Sequence, residues 1–160
     1  MGAKSGFLGF VRTLNEIERA GGGDDLEDAK LALRASLRAL RGQLSPGDAY
    51  VYARHLPPAI QDIYLEEWTG RPSTMGLYGF LSEVEGHFKD EGIDPEERAL
   101  AVFRALARSK PAVLDPLRDR VSEDVWQLLR RAAIEENLVQ LRLRRTPPQN
   151  VRLARRARVA

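Results

Sequence analysis

One helical pattern occurs twice in this chain, and no other feature restricts its fold as much. Ser36-Leu37-Arg38-Ala39-Leu40 matches Val102-Phe103-Arg104-Ala105-Leu106 at an offset of 66 residues. After a slip of one residue, Leu56, Ile60 and Ile63 lie over Val121, Val125 and Leu128, and Pro46 lies over Pro111. Phe7-Leu8 and Phe80-Leu81 open the two copies, the larger offset there being absorbed by the insert Gly21-Gly22-Gly23. Each copy reads as a leading helix, a long apolar helix, a short proline-started helix and a closing helix. A unit of about 60 residues buries only about 60% of the surface its unfolded chain exposes, so two such units gain by docking. The expectation is an all-α protein of two pseudo-symmetric four-helix repeats packed around a shared core, with a basic C-terminal tail. The repeats span residues 1–69 and 70–145, and the tail spans 146–160.

The periodicity behind this reading is local and clear. Leu26, Ala29, Leu33, Leu37, Leu40 and Leu44 follow one another at steps of three or four, which places Arg34, Arg38 and Arg41 on the solvent side. Phe7, Phe10, Val11, Leu14 and Ile17 mark a helix before it; Leu77, Phe80, Leu81, Val84 and Phe88, then Ala99, Val102, Phe103 and Leu106, mark two after it. Ser45-Pro46-Gly47-Asp48 and Asp94-Pro95-Glu96-Glu97 are helix starts, with a capping side chain, proline at the first position and acid in the first turn. Ser73 and Ser122 also stand where N-caps are expected. Gly21-Gly22-Gly23 ends the first helix, Thr69-Gly70-Arg71-Pro72-Ser73 breaks the chain at its middle, and Thr146-Pro147-Pro148 ends the last core helix. Val139, Leu141 and Leu143 alternate with polar residues as a short strand would. Ile134, Leu138 and Leu141 fit helical spacing equally, and the expectation is a continuation of the last helix.

The segment His55-Leu56-Pro57-Pro58-Ala59-Ile60-Gln61-Asp62-Ile63-Tyr64-Leu65-Glu66-Glu67-Trp68 resembles the hallmark of a bacterial family catalogued as domain of unknown function 2267. Phe80-Leu81-Ser82-Glu83-Val84 through Asp94-Pro95-Glu96-Glu97 to Leu106-Ala107-Arg108 is similar to the start of that family's second repeat. The resemblance covers about residues 5 to 130 and departs at Lys110-Pro111-Ala112-Val113-Leu114, where members carry a proline-glycine-glutamate turn. It implies an all-helical repeat protein and brings with it no catalytic residue and no cofactor.

The chemistry-bearing residues do not assemble in sequence. Cysteine is absent, which removes disulfides, thiolate zinc sites and cysteine nucleophiles. His55 and His87 form no i, i+4 pair and read as capping or surface residues, so no metal site is expected. Asp24, Asp25, Glu27 and Asp28 suit a helix N-terminus rather than a calcium loop. No serine lies in a Gly-x-Ser-x-Gly elbow, and the adjacent pairs Glu66-Glu67 and Glu135-Glu136 point about 100° apart on a helix. No enzyme activity and no cofactor are expected. The longest charge-free run, Pro72 to Ser82, is too short for a membrane span, and Arg12 interrupts the apolar patch near Met1. The expected location is the cytoplasm.

Charge is distributed unevenly. Beyond Val139 stand Arg142, Arg144, Arg145, Arg152, Arg155, Arg156 and Arg158 with no acid, so a net charge of +2 leaves the first 139 residues at −5. Arginines outnumber lysines 21 to 4 throughout, so the tail also fits a general arginine bias or a tail packed on its own acidic body. Three functional readings follow. The first is an interaction or scaffold module for an unidentified protein partner, with a candidate groove near Tyr64, Trp68 and Tyr78; the same aromatics also fit a lid over the core between repeats. The second is association with nucleic acid, the seven tail arginines contacting phosphates. The third is an anionic membrane surface met by Val151, Leu153 and Val159 on the same tail. A homodimer through an exposed helix is compatible with any of them.

Overall fold

A computed structural model of the chain describes residues 2–69, 75–89 and 92–145. Among these residues every regular element is helical and there is no strand. The order is α1 (Gly2–Ile17), α2 (Leu26–Gly42), α3 (Pro46–Tyr52), α4 (Pro58–Leu65), α5 (Leu77–Gly86), α6 (Pro95–Ser109) and α7 (Glu123–Arg145). A π turn over Glu18–Gly22 extends α1, and 3-10 segments occupy Ala53–His55 and Pro111–Leu117. No helix among the described residues is long and apolar enough to cross a membrane.

The helix starts are chemical. Asp25 accepts from the Asp28 N–H at 2.8 Å, Ser45 from the Asp48 N–H at 3.2 Å, and Asp94 from the Glu96 and Glu97 N–H groups at 3.0 and 3.3 Å. Each such cap contributes about 1 kcal/mol. At the start of α7, Ser122 donates its hydroxyl to Asp124 at 2.5 Å, and the other Asp124 oxygen accepts from the Leu77 N–H at 3.0 Å. Asp124 thus ties the beginnings of α5 and α7 together. Ser73 and the chain break over residues 70–73 lie outside the described residues, as do Thr146-Pro147-Pro148. Residues 139–143 are helical, within the 23 residues of α7. The segment opening at Pro111 is a tight 3-10 turn with a second proline, Pro116, inside it; a proline cannot give an N–H to the carbonyl four residues earlier, so an α-helix is not sustained there.

Two long helices hold the molecule together. α2 packs on α1, α4, α5 and α6, while α6 packs on α1, α2, α5 and α7. The leading helix of the second half, α5, finds its larger contact on α2, and the π turn after α1 finds its larger contact on α6. Each half's long helix therefore carries part of the other half, and one apolar cluster runs from Ile17 and Leu37 to Phe80, Phe103 and Leu129. The Phe80 and Phe103 rings stand 6.1 Å apart. Tyr52 donates its hydroxyl to the Val113 carbonyl at 2.8 Å, a buried hydrogen bond joining α3 to the 3-10 turn.

The first helix ends at the glycine insert, as expected, with Gly21 at φ 92°. Gly22 is there for space. A Cβ on it would overlap the Ile17 side chain and stand 3.1 Å from the Ala101 Cβ, so the π turn lies flat on α6 only without a side chain. Gly9, inside α1, has nothing near the place a Cβ would take. Gly22→Ala should therefore cost about 1–3 kcal/mol by overpacking, whereas Gly9→Ala should add up to about 1 kcal/mol through helix propensity. Urea unfolding of both variants checks this contrast, and equal effects would refute the close packing at Gly22.

Candidate functional site

The three aromatics expected at a groove do not share one. Tyr64 is fully buried; its hydroxyl donates to the Ala49 carbonyl at 2.7 Å and its ring meets Tyr52 edge-on at 5.9 Å. It offers no face to a ligand. Trp68 is half-buried and stacks on Tyr50 at 6.5 Å and 13°. Tyr78, on α5, is 84% exposed. Spacing of four suggested one helical face for Tyr64 and Trp68, but α4 stops at Leu65 and Glu67 turns the chain at φ 50°. Of the arginines expected to meet phosphates, Arg142, Arg144 and Arg145 lie exposed on the last turn of α7. Arg152, Arg155, Arg156 and Arg158 lie outside the described residues.

Two ionic networks brace the body. Arg34, Arg38 and Arg41 are half-buried rather than turned to open solvent. Arg34 Nε meets Glu66 at 3.0 Å, Arg38 Nη2 meets Glu67 at 3.1 Å, and Arg41 donates to the Tyr64 and Glu66 carbonyls at 2.7 Å each. Arg41 thus satisfies carbonyls at the end of α4, and the three arginines together clamp that end to α2. Nearby, His87 follows α5 and stands 3.5 Å from Glu83; burial holds its pKa below the ordinary value, Glu83 opposing and Arg38 and Arg34 assisting. His55 packs its ring on Tyr52 at 5.8 Å. Among the described residues no group of three or more His, Asp or Glu side chains is arranged to hold a metal ion.

The second network borders a groove. Arg108 Nη1 meets Glu16 at 2.7 Å, and its Nε stands 3.8 Å from Glu136. Arg104 Nε is 4.0 Å from the other Glu136 oxygen, an ion-pair distance too long for a hydrogen bond, and Gln140 donates to Glu136 at 2.9 Å. The Glu136 side chain is nine-tenths buried, and the Arg108 guanidinium on α6 joins Glu16 of α1 to Glu136 of α7. On one side of Arg108 lies a recess of about 850 Å³ between α1, α6 and the start of α4. On the other side a groove of about 620 Å³ runs between α7, the end of α6 and the 3-10 turn.

This α6–α7 groove is the better candidate site, because it continues onto an exposed apolar face. Leu114, Trp126, Leu129 and Ala133 supply its apolar lining, with Ile134 and Leu141 at its edge. Ile134, Leu138 and Leu141 form a stripe at i, i+4 and i+7 on α7, each at least 40% exposed. The stripe was visible in the sequence as helical spacing. Its solvent exposure was not, because spacing alone does not say that the final turns of α7 reach past α6.

Two measurements test this description. Glu136→Gln leaves the half-buried guanidinium of Arg104 without its counter-charge and Arg108 with Glu16 alone, and should cost about 1–3 kcal/mol; thermal unfolding that matches the wild type would show the pairing to be idle. Burial raises the phenol pKa of Tyr52 and of Tyr64, with the partner ring adding to Tyr52 and Arg41 opposing at Tyr64. The fold thus holds the neutral phenols, and their contribution is intact below the unfolded value of about 10 and declines as pH rises past it. Unfolding free energy should fall above about pH 10, and less steeply in Tyr64→Phe.

The family model described as "Uncharacterized conserved protein (DUF2267)" matches residues 10–132. The match spans most of the chain, and the chain belongs to this family. No curated protein matches it in sequence.

Proposed function

We propose that this DUF2267 protein is a non-enzymatic interaction or scaffold module of the cytoplasm, that it is built from two related helical repeats, and that it engages a partner protein through the α6–α7 groove. The observation that carries the reading is the exposed stripe Ile134, Leu138 and Leu141 beside an apolar groove. Contiguous apolar surface of this kind marks interaction sites more often than idle surface. The repeat is supported by reciprocal packing, α5 on α2 and the π turn of α1 on α6. Arg38 and Arg104 support it too: they lie 66 residues apart, each pairs with carboxylates that follow or lie in its half's closing helix, and each has a buried Nε without a hydrogen bond.

A second reading is favoured by the exposed Arg142, Arg144 and Arg145 at the end of a helix whose final turns hold no acid. Here the protein associates with nucleic acid through its C-terminal arginines.

The two readings separate in paired experiments. Leu138→Asp changes an exposed residue and should leave the melting temperature unaltered while abolishing the partner recovered by cross-linking in the source cells. Unchanged recovery removes the groove reading. For the second reading, duplex DNA is titrated with salt against the full chain and a chain ending at Arg145. Four to six phosphate contacts give a slope of log affinity on log salt of about −4 to −5, and truncation, which keeps Arg142, Arg144 and Arg145, should reduce it to about −3 or shallower. Undetectable binding by the full chain removes nucleic acid.

A further inference from the structure

Resting on the reading that the α6–α7 groove is an interaction surface, we propose that its occupant is an amphipathic helix carrying two carboxylates about four turns apart on either side of an apolar stripe.

The charges of the groove can be divided by whether they already have a partner. Arg108 and Glu136 are engaged with each other, and with Glu16 and Arg104. Arg130 and Arg144 line the groove and pair with no carboxylate among the described residues. Asp115 is the one further acid in the lining. Arg130, Asn137 and Arg144 succeed one another at steps of seven, so they lie along one side of α7 beside the apolar residues. Fourteen residues separate the two arginines, which is about 21 Å along a helix axis. Between them run Ala133, Ile134 and Leu141. The groove is therefore apolar in its middle, with an open positive charge towards each end.

That pattern selects among occupants. The chain's own residues 146–160 hold four arginines and no acid, so they would bring like charge to Arg130 and Arg144. A second copy offers no described helix on which two acids fourteen residues apart bracket an exposed apolar stripe. Duplex nucleic acid would meet the arginines and leave the exposed Ile134 and Leu141 without an apolar partner. A helix with leucines on one face and a glutamate at each end satisfies both parts. Such end charges act through selectivity and the rate of encounter more than through bulk affinity.

The test uses the full chain and two labelled helical peptides of about 19 residues, read by fluorescence anisotropy. Both carry the same leucine stripe; one has glutamates fourteen residues apart, the other lysines in their places. The glutamate peptide should bind at least tenfold more tightly. Arg130→Glu with Arg144→Glu should reverse that preference, and Arg130→Gln with Arg144→Gln should abolish it without reversal. All four substitutions fall on exposed positions, and thermal melts check that the fold persists. Equal binding of the two peptides, binding of neither, or a preference that the charge exchange leaves in place overturns the proposal. Displacement of the glutamate peptide by duplex DNA, or a dimer by light scattering that Leu138→Asp dissociates, also overturns it, in favour of nucleic acid or a second copy. If the peptides show no preference while Leu138→Asp still loses its cross-linked partner, the acidic-helix inference falls and the interaction module stands.

Discussion

Phe80 stands in the second half of the chain, yet its helix makes its larger contact with α2, in the first. The π turn after α1 does the converse and lies mainly on α6, so closely that Gly22 has no room for a side chain. This exchange makes a single interior of two short halves. A segment of about 60–70 residues buries a smaller fraction of its surface than the whole chain can, and the packing of α5 on α2 and of the π turn on α6 joins the two ends of the sequence in one interior. Tyr52 completes the joint with a buried hydrogen bond to the Val113 carbonyl, across 61 residues of sequence. An unmade bond at that carbonyl would cost about 1–3 kcal/mol in a site without water, so the hydroxyl also fixes how the 3-10 turn seats on α3.

Much of this was legible, and for identifiable reasons. The stripe from Leu26 to Leu44 gave α2, since steps of three and four have few other solutions, and Asp25, Ser45 and Asp94 gave three helix starts because a short polar side chain there meets orphan backbone N–H groups. The 3-10 turn at Pro111 was less legible, because the second proline, Pro116, has its effect only through a hydrogen-bond pattern. The arginines of α2 misled more seriously. Read as a solvent face, Arg34, Arg38 and Arg41 instead meet Glu66 and Glu67 after α4, and no periodicity within one helix reveals a partner about thirty residues away.

The site was harder to read than the fold. Tyr64 and Trp68 are spaced as neighbours on a helix, but the helix ends between them and Glu67 turns the chain. One ring then closes the core and the other stacks on Tyr50. The groove lies elsewhere, where α7 outruns the helix it packs on. α7 has 23 residues and α6 has 15, so the last turns of α7 keep their apolar spacing without a neighbour among the described residues to cover it. Relative helix length is a property of the assembled fold, so the helical spacing of Ile134, Leu138 and Leu141 did not reveal their exposure.

Arginine serves two ends in this molecule, and partner geometry tells them apart. Arg104 and Arg108 sit against a carboxylate that is itself nine-tenths buried, in surroundings where an unpaired charge is costly, so their charge belongs to the fold. Arg130 and Arg144 occupy the neighbouring face of α7, in contact with water, where each guanidinium stays hydrated and adds little to stability. A charge of that kind is available to an incoming group, because meeting a carboxylate disrupts no internal pair. The two kinds stand on neighbouring helices: the arginines of α6 meet Glu136, while Arg130, Asn137 and Arg144 run along α7. Arg108 and Glu136 line the same groove, so the ion pairs that tie α7 to α6 stand beside the two open arginines.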